Sequence, residues 1–145
     1  RLLHHAQAED RRFQDQATAT WLQQAEPKNF QVALIYDEGT LVNTVSPDLY
    51  TTQVVSDLLY ATQYFTQPSY LKLKGQPTLF IFPYPAIDPQ IDWSLVRQQL
   101  GVTITLLDED PNPDDIQHDA QFDGFSPGSN PLRRNGNGMI GEKAT

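Results

Sequence analysis

FQVALIY (Phe30 to Tyr36), PTLFIF (Pro77 to Phe82) and VTITLL (Val102 to Leu107) are short apolar runs rich in β-branched and aromatic residues. Near-continuous hydrophobicity of this kind suits strands covered on both faces, as in parallel sheets, rather than the alternation of a half-exposed antiparallel strand. Helical patterns separate the runs. Leu2, Ala6, Phe13, Ala17 and Trp21 form a stripe on a helix from Leu2 to Ala25, which Pro27 ends. Val54, Val55, Leu58, Leu59, Thr62 and Phe65 mark a second helix, closed by Pro68. Trp93, Val96 and Leu100 mark a third between Ile91 and Leu100, stopped by Gly101. Trp21 and Trp93 both read as core residues. The order is helix, strand, helix, strand, helix, strand, with connections long enough for parallel crossovers.

Finer punctuation refines this pattern. YLKLKG leads into PTLFIF through a turn at Gly75 and Gln76, and Pro77 fits only near the start of its strand because it donates nothing to a ladder. An acidic loop, DEDPNPDDIQHD, follows VTITLL, and Gln121 to Phe125 reads as a fourth short strand. Residues 1–125 form one expected α/β domain, and residues 126–145, rich in Gly, Asn, Pro and Arg, an irregular tail. The expected class is α/β with parallel βα units belonging to a (β/α)8 barrel of the triosephosphate-isomerase type. At 145 residues the chain is well short of the roughly 250 of a complete barrel. It opens at Arg1 in what reads as mid-helix, so upstream sequence is expected.

Composition narrows the function. The net charge of -8 opposes phosphate backbones, so no nucleic-acid partner is expected. No apolar run reaches the roughly 20 residues of a membrane span, so no membrane insertion is expected. Without cysteine there are no disulfides, thiolate metal sites or cysteine nucleophiles. No cofactor or metal is expected either: His4, His5 and His118 lack zinc spacing. The Asp and Asn cluster from Asp108 to Asp115 lacks an EF-hand pattern, and Ser126 in FSPGS does not form a nucleophile elbow.

Loops at the carboxyl ends of parallel strands carry function. Here they offer Tyr36, Asp37 and Glu38 after the first run, Pro83 and Tyr84 after the second, Asp108, Glu109 and Asp110 after the third, and Asp123 in the fourth. Carboxylates beside aromatic rings suit sugars, whose hydroxyls take hydrogen bonds and whose apolar faces stack on rings. The expected substrate-binding set is Tyr36, Asp37, Glu38, Tyr84, Asp108 and Asp123. The ordinary alternative for each acid is capping or solvation; Asp37 and Glu38 depart furthest from it, being too early to cap a helix beginning near Thr52.

Tyr70 to Phe82, YLKLKGQPTLFIF, resembles a passage of the endo-α-mannosidase family of glycoside hydrolases (family 99-like) and of related glycan-biosynthesis barrels. Tyr36, Asp37 and Glu38 resemble that family's acidic strand end. Asp57, Leu58 and Tyr64 running into Pro68, Tyr70, Leu71, Gly75 and Pro77 resemble its helix, prolyl turn and apolar strand, and Phe122, Asp123 and Gly124 resemble a later strand closing in F-D-G. The resemblance implies a (β/α)-barrel, a glycan or oligosaccharide partner, and hydrolysis of an α-mannoside-like linkage by two glutamates, usually in a W-x-E-G setting. No such setting follows Phe125, and Glu142 in MIGEKAT does not match it. The catalytic acid and base are therefore expected outside this chain, or the domain binds glycan without cleaving it. Unpaired edges of a partial barrel would invite self-association or completion by further chain. Gly75, Gln76, Pro77 and Thr78 also resemble the cis-proline passage of thioredoxin-like proteins, which implies a cysteine-free assembly domain.

Overall fold

The computed structural model describes residues 8–109 and 121–125. The expected tail and most of the acidic loop lie outside those residues, as does the start of the first helix. Three helices are described, α1 (Ala8–Ala25), α2 (Tyr50–Phe65) and α3 (Trp93–Leu100). The strands are β1 (Leu34–Asp37), β2 (Lys72–Leu73), β3 (Gln76–Phe82), β4 (Thr105–Asp108) and β5 (Gly124–Phe125). β1, β3, β4 and β5 lie side by side in that order, every neighbouring pair parallel, and β2 folds back antiparallel on the start of β3. The α/β class and the parallel sheet thus follow the sequence pattern.

The hairpin turn falls one residue earlier than expected. Lys74 and Gly75 have φ of 51° and 80°. A two-residue hairpin loop with both central residues at positive φ is the type whose twist matches the flanking strands, and glycine takes such a φ without a Cβ penalty. Pro77 sits second in β3, opposite Lys72. No peptide bond among the described residues is cis, so Pro77 lacks the cis bond that the thioredoxin-like alternative requires, and that alternative falls.

One face of the sheet is fully covered. Leu34, Tyr36, Leu79, Ile81 and Leu106 are buried in a cluster with Val54, Leu58 and Ala61 of α2 and Trp93, Val96 and Leu100 of α3. The Tyr36 and Trp93 rings meet edge to face with centroids 6.4 Å apart, and α2 and α3 pack against each other. Both crossover helices therefore lie on the Tyr36 side. Asp92 caps α3 by accepting the Leu95 N–H at 2.9 Å, and Gly101 ends the helix at φ 67°.

The other face corrects the expectation of strands covered on both sides. Ile35, Phe80 and Leu107 are aligned across β1, β3 and β4, as are Asp37 and Phe82 across β1 and β3. Ile35 is 39% and Phe82 50% exposed, and Phe80, Leu107 and Asp37 are half-buried. Side chains alternate along a strand, so this row is the face away from the helices. The strands are also shorter than the apolar runs. Phe30, 67% exposed, and Val102 lie outside the ladder, because β3 offers partners only opposite Leu34 to Asp37 and Thr105 to Asp108. Before β1 the chain keeps a single bridge, Val32 to Tyr70.

α1 buries Leu22 and Ala25 and leaves Trp21 68% exposed, so the expected stripe through Trp21 is displaced by one position. The helix is held by specific bonds: Ser69 Oγ donates to the Leu22 carbonyl, and Tyr60 and Tyr64 donate their phenols to Asp15. No helix among the described residues is long and apolar enough to cross a membrane.

Candidate functional site

The carboxyl ends of β1, β3 and β4 gather the expected side chains, but they divide them between the two faces. Tyr36, at 0% exposure, points to the helix side and donates its phenol to Asp57 Oδ2 at 2.9 Å, while Gln53 Nε2 donates to Asp57 Oδ1 at 2.9 Å. Burial first, and then the neighbouring carboxylates, push the Tyr36 phenol far above its usual range. Tyr36 therefore braces the core against α2 and does not line a groove.

Asp37 lies on the open side. Its Oδ1 accepts the Gly39 N–H at 2.9 Å and its carbonyl accepts the Thr40 hydroxyl at 2.8 Å, so it caps the short 3-10 turn Glu38–Leu41 that follows β1. Asp37 stands too early in the chain to cap α2, and caps this intervening turn instead. A Cβ at Gly39 would fall 2.9 Å from Asp37 Oδ1 and 3.8 Å from Cδ2 of Tyr84, so any other residue here would have to push the Asp37 carboxylate aside. Asp37, the Gly39 backbone and the 41%-exposed ring of Tyr84 thus adjoin at the rim, with Phe82 beside Asp37 in register.

Glu38 turns the other way and is wholly buried. Its Oε2 accepts the Tyr84 N–H at 2.8 Å, joining the loop after β1 to the loop after β3. Asp88, in the turn Asp88–Gln90, and Asp108, at the end of β4, are its acidic neighbours and are 6% and 2% exposed. Desolvation is the largest cause, with repulsion from Asp88 and Asp108 added, and together they hold the Glu38 carboxyl neutral far above the ordinary carboxylate range. Glu38 Oε1 meets no N–H or O–H donor of its own. The neighbouring Asp88 carboxyl favours the protonated form of Glu38.

Asp123 leaves the expected set for a different reason. It pairs with Arg97 at 2.8 Å and accepts the Leu106 N–H at 2.8 Å, while Arg97 also donates to the carbonyls of Gln121 and Ile104. It ties β5 to α3 and β4. Of the expected six residues, then, Asp37 and Tyr84 meet at the accessible rim, Tyr36, Glu38 and Asp108 are enclosed beneath it, and Asp123 is a fastener. Sequence reasoning missed Asp57 and Asp88. Asp57 carried a signal, an acid at the buried spacing of Val54, Leu58 and Ala61; Asp88, in a proline-rich turn, carried none. Among the described residues, no group of three His, Cys, Asp or Glu side chains is arranged to hold a metal ion.

Among the described residues of the expected set, the rim therefore offers the Asp37 carboxylate and the Tyr84 phenol, beside the exposed Phe82 ring and the Gly39 backbone. Such a set can accept hydroxyl hydrogen bonds and stack on an apolar sugar face. Among the described residues of the expected set, Asp37 is the accessible carboxyl at this rim, whereas glycoside hydrolysis uses two. No known family model, curated protein or solved structure matches the chain.

Proposed function

We propose that this chain forms part of a (β/α)-barrel of the endo-α-mannosidase-like type and takes a glycan at the strand-end rim. One observation carries the reading. Parallel strands run in sequential order with both crossover helices on one face, and the opposite face is apolar, open and edged by Asp37, Phe82 and Tyr84. In a barrel that second face is the interior, packed by branched and aromatic side chains. Further βα units would complete the ring, and the outer edges of β1 and β5, unpaired among the described residues, are where they would pair.

A non-catalytic, glycan-binding role on the same scaffold is the second reading. It is favoured by the enclosure of Glu38 and Asp108 and the engagement of Asp123 with Arg97, which leave Asp37 as the accessible acid of the expected set.

The two are separated by titrating the chain with α-linked manno-oligosaccharides and assaying an aryl α-mannoside in parallel. Either reading expects binding that weakens about tenfold or more in Asp37→Asn, the scale of a lost hydrogen bond to a charged group. Turnover selects the hydrolase and binding without turnover the second reading. Absence of both, or binding indifferent to Asp37→Asn and Tyr84→Ala, overturns the proposal.

A further inference from the structure

Glu38 is the feature that the rim reading does not use, since no ligand reaches a side chain with 0% exposure. It nevertheless spans the site. Leaving the chain directly after β1, it accepts the backbone N–H of Tyr84, 46 residues away, and has Asp88 from the turn after β3 and Asp108 from β4 as acidic neighbours. The loops that carry the rim are thereby joined through a single buried carboxyl.

We propose that Glu38 is a positioning residue, a buried strut that ties the loop after β1 to the loop after β3 through the Tyr84 N–H and so holds Tyr84 and Asp37 in place at the rim. The proposal rests on the glycan-binding reading for its functional consequence, and on geometry alone for the strut. The titratable groups acting most strongly on Glu38 are acidic: Asp88 from the turn after β3 and Asp108 from β4. Asp37 from β1 and Asp57 from α2 act, with Glu38, on the Tyr36 phenol between them. The Tyr84 N–H favours the ionised form, but desolvation and the Asp88 charge oppose it more strongly. Ionisation is thus opposed by the pocket that holds the strut, and the rim is expected to loosen with it.

The direction with pH follows by linkage. In the unfolded chain Glu38 ionises near 4.5, whereas in the fold it holds its proton to far higher pH. This group therefore contributes fully below about 4.5, and its contribution is lost progressively as pH rises above that value, the reverse of a salt-bridged carboxylate.

The test follows the Tyr84 amide resonance of the full 145-residue chain against pH, in the wild type and in Glu38→Gln, with manno-oligosaccharide binding measured alongside. Glutamine keeps the acceptor for Tyr84 and the donor toward Asp88 without the ionisation. The expected result is a Tyr84 amide that shifts as pH rises in the wild type and stays flat in Glu38→Gln. Wild-type affinity falls about tenfold per unit of pH once the strut ionises, and the variant shows no such fall. Glu38→Ala, which removes both bonds, should give the shifted amide at every pH. If Glu38→Ala does not fold, the wild type and Glu38→Gln still decide. Equal pH responses in those two proteins overturn the strut. A Tyr84 amide that behaves as expected in a chain that binds no glycan leaves the strut standing and removes the sugar reading.

Discussion

Replacing Tyr70 by Phe removes one oxygen from the joint between β1 and β3. Tyr70 is 1% exposed, its ring lies 5.1 Å from that of Phe65, and its phenol donates to the Thr78 carbonyl at 2.8 Å while accepting the Leu34 N–H at 3.3 Å. Phenylalanine keeps the ring contact and opens no cavity, so the cost is that of stranding buried backbone groups. One such group costs about 1–3 kcal/mol, and the longer of the two bonds places the expected loss near the middle, about 2 kcal/mol. A chain of this length loses roughly 0.3 kcal/mol per degree around its midpoint, so Tm should fall by about 7 °C. Thermal unfolding followed by circular dichroism measures it. Burial lifts the Tyr70 phenol to about 12, so the difference between the two proteins should be the same at mildly acidic and mildly alkaline pH. A fall of less than about 2 °C would refute the reasoning, because it would mean that the Leu34 N–H has another partner or that the joint carries no stability.

Arg97→Met keeps the stem of the side chain but removes the ion pair with Asp123 and the bonds to the Gln121 and Ile104 carbonyls. Because Asp123 is 47% exposed, the ion pair itself is screened and the loss should be about 1–2 kcal/mol in urea unfolding. Hydrogen exchange should quicken at Asp123, whose N–H bonds the Leu106 carbonyl. Gly39→Ala sets a methyl 2.9 Å from Asp37 Oδ1 and should displace the cap. Glycan affinity is expected to drop about tenfold with a loss of stability of only about 1 kcal/mol, the worth of a cap; calorimetric titration and urea unfolding of the same preparation separate the two effects.

The strand-helix order was readable because apolar runs bounded by proline and glycine alternate with amphipathic segments, and each run became a strand of the parallel sheet. What the runs concealed was the open face. Ile35 and Phe82 look like core residues in FQVALIY and PTLFIF, since hydrophobicity reports what a residue prefers and not whether this chain supplies its cover. Strand length was overread for the related reason that ladders extend only where a neighbour exists, which excluded Phe30 and Val102. At the site, position after a strand found the right edge of the sheet but could not assign sides. A one-residue step separates Asp37, on the rim, from Glu38, enclosed beneath it. The same parity leaves Tyr36 with Asp57. Trp93 reads as core and is fully buried, whereas Trp21 reads equally so and is exposed, because α1 turns Leu22 rather than Trp21 toward the fold.

The open, apolar face and the rim at Asp37 and Tyr84 form the proposed working surface. Two-dimensional amide NMR during titration with an α-linked manno-oligosaccharide tests this most directly. Saturable shifts concentrated at Asp37, Gly39, Phe82 and Tyr84, with the buried row Leu34, Leu79 and Leu106 unmoved, are the predicted result. Shifts confined to α1 or to the far ends of the strands, or none at saturating sugar, would contradict it.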